Sequence, residues 1–224
     1  MLKKSLGLMS LILMPIALYL IFFYASIEAT MGIVQKIFYF HVPNALMSYA
    51  SAGLLGLASI MYLIKGDRTW DRFGSVAGEL GAVFTSTAIV SGMIWAKPAW
   101  GEYWASGDPR LNLELILFLT FIAYLMLRAY LPNREKRATL SCVFGLLALL
   151  NIPFNWLSIY FFRTQHPQPV VSPGGGGLEP DMEVAFYVSF IAWVALYGYL
   201  FISRLEVAKL QEQVDYLEHK VHMA

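Results

Sequence analysis

Six stretches of this chain are apolar, with few charges, for about 20 residues each, the length a helix needs to cross the hydrocarbon core of a bilayer. They are residues 5–24, 42–64, 73–95, 111–130, 138–160 and 183–203. The polar breaks between them alternate in character. Residues 65–72 and 128–137 are short and basic, whereas 25–41, 96–110 and 161–182 are longer, aromatic and poor in Lys and Arg. The pattern predicts an all-α integral membrane protein with six transmembrane helices, a six-helix membrane domain over residues 1–203. From Arg204 onward the pattern changes. Val207, Leu210, Val214, Leu217 and Val221 recur at spacings of three and four with charged residues between them. That is a heptad seam of about two repeats. It predicts a short C-terminal cytoplasmic helix over 204–224, able to meet a partner, a second copy or the membrane surface.

Composition supports the membrane class. Of 224 residues, 58% are hydrophobic and 14% charged, with a mean hydropathy of +0.58, where soluble domains carry roughly 25% charged residues. The net charge of +1 gives no reason to expect nucleic acid. Where the charges fall is informative. Of the 16 Lys and Arg residues, only Lys36, Lys97, Arg110 and Arg163 lie in the longer aromatic breaks. By the positive-inside rule the twelve others mark the cytoplasmic side, so both termini are expected there and the aromatic breaks outside. Lys3 and Lys4 precede an apolar run of about 19 residues without a small-x-small cleavage site, which predicts a retained first helix rather than a signal peptide. The single cysteine, Cys142, sits in an apolar run and excludes an intramolecular disulfide or a paired-cysteine motif.

The outer breaks carry the candidate chemistry. Residues 95–111 hold Trp95, Trp100 and Trp104 with Tyr103, Lys97, Glu102, Asp108 and Arg110. Such a cluster reads either as an interfacial aromatic belt or as a shaped shelf for a flat apolar ligand. His41, followed by Pro43 in the expected first turn of the second helix, and His166, in the last outer break, lie on the same side as the shelf. Imidazole is a good ligand for iron, and heme takes axial ligands from His. Lys97, Arg110 and Arg163, with Lys36 as a fourth, are the outer cations available to propionates. Zinc is the weaker reading, since no HExxH or cysteine pair is present. His219 and His222 read as polar positions of the tail. Glu79 and Glu114 fall within predicted spans, where carboxylates are costly. Glu114 is expected to pair with Arg110 one turn away, while Glu79 has several possible partners. No nucleophile elbow or phosphate-binding loop occurs, so any ATP-driven step needs another subunit.

Taken together, Phe-Tyr-Phe-His41-Val-Pro, then Ile-Trp-Ala-Lys-Pro-Ala-Trp-Gly-Glu-Tyr-Trp, then Asp-Pro-Arg-Leu-Asn-Leu-Glu-Leu resemble the CcmC (HelC) family of cytochrome c maturation. The resemblance runs from about residue 33 to 203. It implies a six-helix, non-enzymatic, inner-membrane protein that presents heme b at the periplasmic face. His41 and His166 are implied as axial ligands. Trp100, Gly101 and Trp104 match the start of the family's tryptophan-rich WWD segment and Asp108 its closing acid. The chain departs from that pattern: Trp104 is followed by Ala-Ser-Gly-Asp, so one Trp is missing and one residue is inserted. Trp95 and Tyr103 are candidates to supply the lost contact. Implied partners are a periplasmic heme chaperone (CcmE-like), the ATPase and membrane subunits of an ABC transporter, and a small single-span subunit. Two other readings remain at this point: a b-type cytochrome subunit of a quinone-linked oxidoreductase, and a polytopic structural or transport protein whose Trp and His are merely interfacial.

Overall fold

A computed structural model describes residues 1–162, 164–166 and 177–222 of the chain. Six helices make up the bundle: α1 (Leu2–Tyr19, continued by a π-helical turn Leu20–Tyr24), α2 (Phe38–Lys65, led in by a 3-10 turn Ile33–Ile37), α3 (Arg68–Trp100), α4 (Pro109–Tyr130), α5 (Arg134–Phe161) and α6 (Pro180–His222). All six are long and apolar enough to cross a membrane. The expected all-α, six-span architecture is therefore the observed one, with most helices longer than their apolar runs.

Helix α2 is central and packs on α3 and α5; α1 lies along α6, and α4 against α5 and α3. The core contains Leu55, Val76, Leu80, Phe84, Leu117, Phe121 and Tyr124. Close approach of helices depends on glycine. A Cβ on Gly81 would stand 2.3 Å from the Phe121 ring, and one on Gly145 would stand 2.0 Å from Ser59 Oγ, the small-residue contact common between membrane helices. Outward positions such as Leu8, Leu11, Ile16, Ile116 and Leu119 are exposed apolar side chains. A soluble surface rarely shows so large an apolar area; lipid accounts for it.

Several helix ends are fixed by side chains. Asp67, Asp108 and Asn133 cap α3, α4 and α5 through the amides of Thr69, Arg110 and Lys136. Proline shows where sequence patterning made helices too short. Pro43 is not in the first turn: α2 starts at Phe38, making Pro43 its sixth residue. Its missing N–H frees the carbonyl of Tyr39, and Ser189 Oγ of α6 donates to that oxygen at 2.7 Å. Likewise α3 continues through Pro98 to Trp100, five residues past the expected end.

The predicted tail helix is the continuation of α6, which runs through residue 203 without a break. At 1.5 Å per residue its 43 residues span about 65 Å, twice a hydrocarbon core of about 30 Å. Beyond the span it returns to the body through ion pairs: Lys3 with Glu206 at 2.5 Å, Arg72 with Glu212 at 3.0 Å and Arg134 with Asp215 at 2.8 Å. Val207, Leu210, Val214, Leu217 and Val221 all stay exposed. Glu79 is also settled: Arg204 on α6 grips it through Nε and Nη2, so its partner lies on a neighbouring helix. Both termini lie at one end of the bundle, joined by the Lys3–Glu206 pair.

Candidate functional site

The opposite end gathers the residues singled out above. His41 is in the first turn of α2, on one face with Ala45 and Tyr49 at intervals of four. Its Nδ1 lies 3.0 Å from the carbonyl of Ala88 and 3.2 Å from Ser91 Oγ, both on α3. A carbonyl oxygen only accepts, so Nδ1 carries the proton and the lone pair of the neutral ring is on Nε2. A hydrogen bond of this kind fixes the tautomer and the orientation of an imidazole ring. A Cβ on Gly92 would come within 3.0 Å of His41 Cε1, so the glycine leaves room for the ring.

His166 arrives from the non-helical segment after α5, and its ring centroid lies 6.4 Å from that of His41, with ring planes 37° apart. A metal–imidazole bond of about 2 Å, with the ring centre about 1 Å behind the nitrogen, places two imidazoles on one metal at roughly 6 Å between centroids. Among the described residues no group of three or more His, Cys, Asp or Glu side chains could hold a metal ion, which leaves the zinc reading without a ligand set.

The two histidines line a cleft of ≈50 Å³ together with Trp95, Trp100, Tyr103, Trp104, Tyr49, Arg110 and Glu114. Trp95 and Trp100 meet edge to face at 5.0 Å. Because α3 continues to Trp100, these two indoles stand on a helix rather than a loop, about one to three turns from the Ala88–Gly92 contacts of His41. Gly101 ends the helix at φ 83°, a conformation that suits glycine. Arg110 Nη1 is buried in the protein without a hydrogen-bond partner.

Other predicted site residues have different duties here. Lys97 Nζ donates to the carbonyl of Gly101 at 2.8 Å and lies 5.4 Å over the Tyr103 ring, so it caps α3. Lys36 is buried and donates to the carbonyls of Ile21 and Phe22 at the end of α1, where a cation meets the negative end of the helix dipole. Neither lines the cleft, and neither do Gly101 or Asp108. Arg163 lies outside the described residues, as do 167–176. Glu114 makes no ion pair with Arg110; it accepts from Ser48 Oγ and Asn155 Nδ2, each at 3.2 Å.

Asp108 is 3% exposed. One oxygen accepts from the amides of Arg110 and Leu111 at 2.9 and 3.3 Å. The other accepts from the amide of Gln165 at 2.7 Å and from the Thr164 hydroxyl. Burial alone would raise this carboxyl. The four hydrogen bonds outweigh it and hold Asp108 below the usual carboxylate range, so it is ionised at neutral pH.

Comparison with known proteins decides the family. The sequence model described as CcmC, heme exporter protein C, matches residues 1–220. The chain belongs to the CcmC family. It is 30% identical over 188 residues to heme exporter protein C of Bradyrhizobium diazoefficiens, covering 84% of this chain and 71% of the relative. It is 30% identical over 190 residues to a putative cytochrome c biosynthesis ccmC-like mitochondrial protein of Marchantia polymorpha, covering 85% and 80%. With heme exporter protein C of Escherichia coli K12 the identity is 26% over 182 residues, covering 81% and 71%. CcmC proteins are heme-handling membrane proteins of the maturation system, not enzymes. Within this CcmC chain, Ala88, Ser91 and Gly92 are contacts of His41 that sequence reasoning missed. The one signal available was small residues three and four apart on α3, one helical face below Trp95.

Proposed function

We propose that this chain holds heme b at the end of the bundle opposite its termini and delivers it for cytochrome c maturation. His41 and His166 are the iron ligands in this reading. The observation that carries it is the pair of imidazoles 6.4 Å apart, with Nδ1 of one already committed to α3 and its other nitrogen left for a metal. The surroundings fit the same cargo. Trp95, Trp100 and Trp104 offer aromatic surface to a flat macrocycle. The buried, unpartnered Nη1 of Arg110 in the same cleft would be satisfied by a propionate.

The cleft encloses only ≈50 Å³, while pockets that engulf small ligands run to about 300–1,000 Å³. Heme here is gripped by its iron and one edge rather than swallowed. That suits a carrier, which must let go, better than an electron-transfer subunit, whose heme is enclosed permanently. His166 also lies outside the helices, whereas the b-type cytochrome alternative expects both ligands between them.

The basic residues at the termini-bearing end support a cytoplasmic position for that end by the positive-inside rule. The heme site then faces the periplasm from the inner membrane, and residues 204–224 are a cytoplasmic segment. The recipient is a periplasmic heme chaperone of the CcmE type. An ABC transporter ATPase, its membrane subunit and a small single-span subunit complete the assembly. The test is complementation of a bacterium lacking its own family member. The wild-type chain is expected to restore covalent cytochrome c, and His41→Ala or His166→Ala, inserted at equal level, to reduce it at least about tenfold. Full restoration by both variants would contradict the reading.

A further inference from the structure

Asp108 divides its two oxygens between two parts of the protein. Oδ1 caps α4 through the amides of Arg110 and Leu111, and Oδ2 receives the amide of Gln165 and the hydroxyl of Thr164. The Thr164 oxygen in turn accepts from the amide of His166 at 3.0 Å. A continuous path thus runs from the start of α4 through one carboxylate and one hydroxyl to the backbone of His166. Arg110, which lines the cleft, sits two residues beyond the same cap.

We propose that Asp108 is the positioning residue of the site: a buried carboxylate that holds the His166 segment against the start of α4, and so sets an iron ligand and the Arg110 cation in one register. This rests on the reading that His41 and His166 hold heme. Asp108 itself does not touch the cargo, because both its oxygens are engaged and it stands outside the cleft lining. The acid of the tryptophan-rich segment thereby acquires a role distinct from that of the indoles. The chemistry also explains why a carboxylate is required. Asn could cap α4 with its one carbonyl oxygen, but its NH2 would face the Gln165 amide, donor against donor.

The variants Asp108→Asn, Thr164→Val and Thr164→Ser of the full-length chain in detergent test this. Asp108→Asn keeps the α4 cap, and Thr164→Val leaves Asp108 intact, so loss of folding does not obscure the result. Hydrogen–deuterium exchange on heme-free protein is read over residues 164–166. There Asp108→Asn and Thr164→Val are expected to exchange about tenfold faster or more, with α3 and α4 unchanged, because a hydrogen bond to a charged group is lost. With heme added, both are expected to give the absorption spectrum of His166→Ala and to regain the wild-type spectrum on addition of imidazole, while Thr164→Ser stays wild type. Unchanged exchange in Asp108→Asn overturns the proposal. So does faster exchange with a wild-type heme spectrum. If wild type and His166→Ala give the same spectrum, the heme-ligand reading fails, and the exchange result still decides whether Asp108 holds the segment.

Discussion

The two histidines are held by different kinds of support, and each can be disturbed separately. His41 is anchored side chain to helix: its Nδ1 lies against Ala88 and Ser91, and Gly92 leaves the space its ring occupies. Gly92→Ala puts a methyl 3.0 Å from Cε1 and displaces the ring by a few tenths of an ångström. Overpacking of this kind costs about 1 kcal/mol, so heme affinity is expected to fall roughly fivefold. A heme titration checks it, and affinity equal to wild type would show that this rotamer of His41 does not hold the iron. The residues with conspicuous chemistry were legible from sequence: His41, His166, the Trp cluster and Arg110 all reach one cleft. Gly92 and Ser91 were not, because small residues in an apolar helix ordinarily mean helix packing. The duties of Lys36 and Lys97 were equally hidden, since a cation near a site in sequence can spend its hydrogen bonds on a helix end instead.

At the scale of elements, hydrophobic runs identify all six helices but mislead about their ends. A proline with a lysine beside it reads as a break, yet α3 passes through Lys97 and Pro98. The α2 start is shifted because Ser189, 150 residues away in sequence, supplies the hydrogen bond that Pro43 forgoes at Tyr39. No local pattern contains that partner. The tail joins α6 for a related reason: nothing between 200 and 210 breaks a helix, and ion pairs to α1, α3 and α5 hold it. Packing between elements depends on glycine, which makes Gly81→Ala informative. Its methyl would lie 2.3 Å from the Phe121 ring, and overpacking of this kind costs about 1–3 kcal/mol. Thermal unfolding in detergent is expected to occur at a lower temperature than in wild type; an unchanged midpoint would mean that α3 and α4 do not pack as closely as described.

For the whole molecule, the termini and the cleft lie at opposite ends of a six-helix bundle, which turns charge asymmetry into a statement about which side handles cargo. Cys142 is buried, so single added cysteines report sidedness. In intact cells stripped of outer membrane, an impermeant thiol reagent is expected to label Lys97→Cys and to spare Lys209→Cys, as the twelve basic residues at the termini-bearing end require. The reverse pattern would put the cleft in the cytoplasm. The central claim, that the paired imidazoles hold heme, is tested most directly by the absorption spectrum of the purified full-length chain with heme added, beside His41→Ala and His166→Ala. The account predicts a Soret band in wild type that shifts or weakens in both variants. A wild-type chain that takes up no heme, or two variants with the wild-type spectrum, would contradict it and return the tryptophan cluster to an interfacial belt.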